Sequence, residues 1–196
     1  MIALANGRVP DSWVKKAYPS LRSLDQWVDN VLERCGQLNG WTAELAVPKV
    51  TMLSYLFNPQ SFLTAVMQTT ARRNDWPLDK TVVLTDVTKK QVEEVDAAAR
   101  DGAFISGLTL EGARWDDKVG VLEDSRPKEL SCYMPVILIK AVTVDKAEVK
   151  DAYKCPVYTT QRRFREEVFT AQLKSKGGEI KWTLAGVAMF LEFIAS

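Results

Sequence analysis

Histidine is absent from the 196 residues. Most serine and cysteine hydrolases use an imidazole as general base, and most catalytic zinc sites use it as a ligand. Both kinds of chemistry lose their customary residue here. Cysteine is sparse: Cys35, Cys132 and Cys155 stand far apart without ligand spacing, which argues against a secreted disulfide scaffold and for a reducing compartment. No Asn-x-Ser/Thr sequon occurs. Charge of one sign is not in excess either, since 26 basic and 25 acidic side chains leave a net charge of +1. That balance gives no electrostatic footprint for nucleic acid or an anionic membrane. Long apolar runs are missing too, and a stretch such as Leu184 to Leu191 is far short of the ~20 residues a membrane-spanning helix needs. The N-terminus lacks the charged-then-apolar layout of a signal peptide. These absences predict a soluble, cytosolic protein with no nucleic-acid or membrane partner.

What is present is an ordinary globular balance, 46% hydrophobic and 26% charged, with length for one domain or two small subdomains. The first part of the sequence has helical periodicity. Leu21, Leu24, Val28, Val31, Leu32, Cys35 and Leu38 recur at three- and four-residue spacing, which predicts a helix with one buried stripe. Ser20 or Ser23 would cap it, Ser23 with Gln26 having capping-box spacing, and Asn39-Gly40 would stop it. A second helix is predicted from Asn58-Pro59, a cap residue followed by proline at the first helical position. Phe62, Leu63, Val66, Met67 and Thr70 form its apolar side, and Asn74 and Pro77 end it. Met52 to Phe57, between the two, predicts one or two further helical turns.

From Thr81 the pattern changes to short β-rich runs separated by turn residues. Val82 to Val87, Phe104 to Leu110, Val136 to Val144 and Tyr153 to Thr160 read as strands. Phe169, Ala171 and Leu173, then Ile180, Trp182 and Leu184, alternate as the arms of a hairpin. Gly177-Gly178 would supply the positive φ of its loop. Val92, Val95 and Ala99 suit one more helix within Lys89 to Arg100. Helices followed by strands predict an α+β fold, with a helical subdomain over 1–78 and a small, incomplete antiparallel β-barrel over 79–196.

Sites are harder to find. Gly107 and Gly112 have Walker A spacing, but Ala113 and Arg114 stand where a phosphate loop needs Lys and Ser or Thr. Glu111 would repel the phosphates, and no helical pattern follows to aim its N-terminus at them. Glu93-Glu94, Asp116-Asp117, Glu123-Asp124 and Glu166-Glu167 are adjacent pairs, and adjacent residues point apart. Tyr158 to Phe164, with Arg162, Arg163 and Arg165, mixes aromatic and basic residues as a nucleic-acid platform would. Glu166 and Glu167 follow at once and offset that charge. The pattern predicts no catalytic, cofactor-binding or metal residue. Six tryptophans, at 13, 27, 41, 76, 115 and 182, read as core or interface side chains.

Five phrases, taken in order, resemble the C-terminal domain of dynein heavy chains. The first is Val9-Pro10-Asp11-Ser12-Trp13 with Tyr18-Pro19-Ser20, Leu24 and Trp27. The second runs from Phe57-Asn58-Pro59 to Ala65, followed by Gln68 and Ala71-Arg72. Asp101-Gly102 and Gly107 to Asp116 make the third, Tyr153 to Thr160 with Arg162 the fourth, and Trp182 to Ala188 the fifth. The third and fourth are similar to axonemal heavy chains, the outer arm before the inner. Departures lie at Ser54-Tyr55-Leu56, where relatives often carry more glycine and tryptophan, and after Ala188.

The resemblance implies a helical start, an incomplete β-barrel end, and a place across one face of a ring of AAA+ modules in the same heavy chain. It implies that ATP and microtubules are handled elsewhere in the parent motor, and that this domain braces the ring and tunes motility in the axoneme of a cilium or flagellum. Arg114, Trp115 and Arg162, inside the third and fourth phrases, are the candidate structural or interface positions. A rival reading is an independent barrel-type module binding a peptide, glycan or nucleic acid. A third is an enzyme with a Lys or Cys nucleophile, which needs a depressed pKa.

Overall fold

A computed structural model describes residues 5–14, 16–46, 48–147, 149–163 and 167–192. The predicted α+β class holds. A short helix α1 (Asp11–Val14) leads to the long α2 (Leu24–Glu44), and α3 (Pro59–Arg73) follows a 3-10 turn at Leu53–Tyr55. Asn58 caps α3 as its sequence requires: its Oδ1 accepts from the Ser61 N–H at 3.0 Å, with Pro59 in the first turn and Arg72 and Arg73 in the last.

α2 departs from its prediction in three ways. It runs through Asn39-Gly40 and ends at Leu45, whose positive φ of 50° carries its N–H onto the Trp41 carbonyl at 3.1 Å. Ser23 holds the cap position but its hydroxyl makes no cap bond, because it bonds to Asp25 instead. The apolar stripe is not buried as a stripe: the buried residues of α2 are Asn30 and Arg34, while Val28, Leu32 and Cys35 are exposed. Periodicity locates an apolar arc but not the neighbour that covers it.

The strands form mixed sheets. One is ordered β1 (Thr51–Met52), β3 (Gly102–Ser106), β8 (Ile137–Thr143) and β2 (Thr81–Val87); β1 runs parallel to β3 and the other pairs are antiparallel. The other is ordered β10 (Phe169–Lys174), β9 (Ala152–Thr160), β11 (Ala188–Glu192), β4 (Thr109–Glu111) and β7 (Ser131–Tyr133). β9 and β11 are parallel there. β5 (Arg114–Asp116) and β6 (Val121–Glu123) make a separate hairpin.

The expected small, incomplete antiparallel β-barrel is therefore corrected to open sheets of mixed strand direction. At β2 and β10, where the two larger sheets meet, side chains replace a backbone ladder. The Thr85 N–H and hydroxyl donate to Gln172 Oε1 at 2.8 and 2.9 Å, and the Gln172 N–H donates to Thr85 Oγ1 at 2.6 Å. α3 lies on β8, β2 and β3. The core joins both sheets through Leu53, Ile105, Leu110, Ile137, Ile139, Val157, Leu173 and Met189.

Two other strand readings fail. Phe104 to Leu110 is split, because Gly107 at φ +82° turns the backbone from β3 in one sheet to β4 in the other. The second hairpin arm is a helix, α4 (Glu179–Leu184), and β10 pairs with β9. Ile180, Trp182 and Leu184 do not share a face: Trp182 is buried, and the other two are 75% and 83% exposed. Gly177 and Gly178 are not in the positive-φ region; a Cβ on Gly177 would meet the Trp182 indole at 3.4 Å. Lys89 to Arg100 contains only the 3-10 turn Val92–Glu94, with Val95 buried and Val92 exposed. Three apolar residues with one to bury cannot hold a helix.

Two glycines test this frame. At Gly102 (φ +147°) a Cβ would enter the Ile139 carbonyl, and backbone cannot yield as a flexible group can. Gly36, inside α2, has open space around its Cβ position. Urea unfolding should show Gly102→Ala losing at least about 3 kcal/mol, and Gly36→Ala gaining about 0.5–1 kcal/mol.

Candidate docking surface and the frame behind it

The residues that looked like chemistry are absorbed by structure. The Gly107 to Gly112 segment is strand β4, with Leu108 and Leu110 buried, and it turns into β5 rather than a helix. Its glycines permit close approach. A Cβ at Gly107 would meet Met52 and Ser54, and one at Gly112 would sit 3.3 Å from the Ala185 oxygen and the Val187 Cα.

Asp116 accepts from the Lys118 and Val119 N–H groups at 2.8 and 3.2 Å, which holds its carboxyl below the usual range. Glu94 and Gln91 close a capping box, and Asp124 pairs with Lys181 at 2.7 Å. Burial pushes the Cys132 and Cys155 thiols up, the wrong direction for a nucleophile. Among the described residues no three His, Cys, Asp or Glu side chains gather as a metal site, and no helix is long and apolar enough to cross a membrane. Phe164, Arg165 and Glu166 lie outside the described residues.

Arg114 and Trp115 share β5. Arg114 Nε lies 3.7 Å from a Glu129 oxygen. Trp115 is buried and its indole N–H meets no protein acceptor among the described residues. It forms part of the wall of a cleft of about 360 Å3 between β2, β10 and the β5–β6 hairpin. Arg162 is exposed in the turn after β9. Its neighbour Arg163 donates to the Gly186 carbonyl at 3.0 Å, approaches Glu111 at 3.7 Å, and lies 5.8 and 5.4 Å from the Tyr158 and Phe190 rings.

The five phrases prove to be one another's partners. The third meets the fifth at Gly112, Ala185 and Val187. The fourth meets the fifth where the Tyr153 hydroxyl donates to the Val187 carbonyl at 2.8 Å. The first meets the end of β11 at Glu192, a buried carboxylate. It accepts from Ser20 Oγ at 2.6 Å, the Leu21 N–H at 2.9 Å and Arg22 Nε at 2.9 Å. A lone acid after the apolar run Ala188 to Leu191 is the signal for such a buried, partnered charge.

The first and second phrases meet around Arg34, which sequence reasoning missed. Its guanidinium lies 3.6 Å from the Tyr18 ring centre and 5.7 Å from that of Phe57. It donates to Asn30 Oδ1 at 2.8 Å and to the Leu56 carbonyl at 3.0 Å. Burial lowers the Arg34 pKa and raises that of Tyr18. Beside this stack lies an aromatic hollow of about 270 Å3 lined by Trp13, Tyr18, Trp27, Val31 and Phe57. Trp13 and Phe57 are about half exposed. Exposed aromatic and apolar side chains side by side have the composition of a protein-docking face.

Tyr153 gives a pH test. Burial raises its pKa to about 12, above the unfolded value near 10. The neutral hydroxyl is thus favoured by folding, and its contribution is complete below pH ~10 and lost as pH rises toward 12. Unfolding free energies measured from pH 8 to 12 should fall by up to roughly 2–3 kcal/mol from this group. Tyr153→Phe should start less stable, having lost the bond to Val187, and fall less steeply.

Comparison with known proteins identifies the family. Residues 1–191 match the family described as the C-terminal domain of the dynein heavy chain. The sequence is 70% identical over 192 residues to the dynein beta chain of the flagellar outer arm of Chlamydomonas reinhardtii, a match covering 98% of the present protein and 4% of that one. It is 53% identical to dynein axonemal heavy chain 11 of Sus scrofa and 51% to the ciliary dynein beta chain of Heliocidaris crassispina, each over 97% of its own length and 4% of the relative's. It thus spans about one twenty-fifth of the proteins it resembles, and it belongs to the family of C-terminal domains of dynein heavy chains.

Proposed function

We propose that this domain is a non-catalytic brace of an axonemal dynein motor, of outer-arm type, packing across the AAA+ ring modules of its own heavy chain and tuning ATP-driven motility on microtubules. Its relatives are named as flagellar, ciliary and axonemal dyneins, which supports an axonemal location. The observation that carries the reading is exposed apolar surface. On α4, Trp182 anchors the helix inward while Ile180 and Leu184, one turn apart, stand in solvent. A domain that acts alone seldom leaves such side chains bare near one another; one that packs on a larger body covers them.

In this reading the helical segment 1–78 docks on the ring and 79–196 reaches a further module. Arg114, Trp115 and Arg162 are framework positions behind those contacts. Contact that is stronger in one ring state than another shifts the motor's cycle by that difference. Microtubules and ATP are met only through the parent motor.

The test compares the complete motor with a motor lacking this domain. Basal ATP turnover should stay within about twofold, while gliding velocity or stall force changes by more than that, a population shift worth about 0.5 kcal/mol or more. Unchanged mechanics would defeat the reading.

A further inference from the structure

The seam between the two larger sheets is held by side chains. Thr85 of β2 and Gln172 of β10 exchange their hydrogen bonds there, and among the described residues no backbone ladder joins these two strands. The Thr85 N–H points away from β8 to reach Gln172. The two-residue alternation of an antiparallel strand therefore sends the Val87 N–H out of the same edge. This edge borders the cleft of about 360 Å3 that Trp115 lines, with the β5–β6 hairpin as its other wall. Small-molecule sites occupy roughly 300–1,000 Å3, so the cleft has the size of one.

Its walls are apolar and its spare polar groups are donors. Leu84, Val87, Val119 and Val121 supply the apolar part. Trp115 is only 5% exposed, and its indole N–H, which can donate but not accept, meets no acceptor among the described residues. Native folds keep few buried donors in that condition. Lys89, Lys140 and Lys174 also line the cleft. Asp86, the one acid among the lining residues, is matched by Lys140 at 2.7 Å. Lys89 donates to the Lys118 carbonyl at 2.6 Å and Lys174 is exposed. Neither has a carboxylate partner among the described residues, so two positive charges are left over.

We propose that this cleft binds a small organic carboxylate, a carboxylate group carried on a short apolar body. The body covers the leucine and valine walls. The carboxylate brings the acceptor that the Trp115 indole lacks, and Lys89 and Lys174 meet its charge. Each alternative fails on one of these features. Inorganic phosphate has nothing to place against the apolar walls, a neutral amphiphile leaves the lysines unmatched, and a cation is repelled by them. A ligand seated there touches β2, β10 and the hairpin together, and so fastens the hairpin to a seam that side chains alone hold. The proposal does not depend on the brace reading, because the cleft lies away from α1, α2 and α4.

The test titrates the protein with octanoate while the indole N–H signals of its six tryptophans are followed by nitrogen-labelled NMR. The Trp115 signal, assigned by its loss in Trp115→Phe, should move downfield and saturate. The signals of Trp13 and Trp27, outside the cleft, should stay in place. Octanol, equal in length but uncharged, should bind at least tenfold more weakly. Lys89→Gln with Lys174→Gln, at exposed positions, should weaken octanoate at least tenfold and leave the other five indole signals of the free protein unchanged. That lysine comparison decides the matter even if Trp115→Phe fails to fold.

A second probe, the acetylated tripeptide Val-Val-Leu, identifies the source of the carboxylate. Displacement of octanoate by the free acid but not by its amide would support the proposal with a peptide end as ligand; displacement by neither would support it with a free acid. A Trp115 signal that ignores octanoate, octanol binding as tightly as octanoate, or unchanged affinity in the lysine variant would overturn the proposal.

Discussion

One carboxylate joins the two ends of this molecule. Glu192, at the end of β11, is buried in an apolar strand and is satisfied by Ser20, Leu21 and Arg22, about 170 residues earlier. A buried charge left unpaired costs several kcal/mol, so the arm before α2 cannot leave this register without exposing or orphaning it. That fixes where α2 begins. The Tyr18, Asn30 and Arg34 stack then fixes how the helix is rotated about its axis, and rotation decides which arc faces outward. The exposed apolar arc is in this sense a consequence of polar contacts on the opposite side of the helix.

That dependence explains which parts of the fold are legible in the sequence. α3 carries its cap, proline and final arginines locally, and each does what its own chemistry dictates. The β-branched runs over β8 and β9 are equally plain, because strands buried at alternate positions write their own pattern. The stripe on α2 is apolar as periodicity says, yet exposed where periodicity predicts burial. Nothing in Leu24 to Leu38 says that Asn30 and Arg34 face inward, since their partners, Tyr18 and the Leu56 carbonyl, come from outside the helix. The alternation at Ile180, Trp182 and Leu184 misleads for a related reason. Burial of Trp182 alone, with its indole N–H donating to Ser175 Oγ, needs no strand, and β9 is already paired with β10 and β11.

The same logic governs the site. The motifs that resemble chemistry are joints: Gly107 against Met52 and Ser54, Gly112 against the Ala185 to Val187 turn, acids that cap turns, and the Cys132 and Cys155 thiols held up by burial. What the frame leaves uncovered is apolar: Val14 on α1, Val28 and Leu32 on α2, and Ile180 and Leu184 on α4.

Hydrogen exchange at the Leu21 amide tests the central claim directly, since that N–H donates to Glu192 across the whole length of the domain. The account predicts exchange as slow as that of β11 core amides in the native protein. In Glu192→Gln, protection should fall at least tenfold across residues 20–34, while β8 is unchanged. A Leu21 amide that exchanges as fast as an exposed turn, or a Glu192→Gln protein that keeps full protection over residues 20–34, would contradict it.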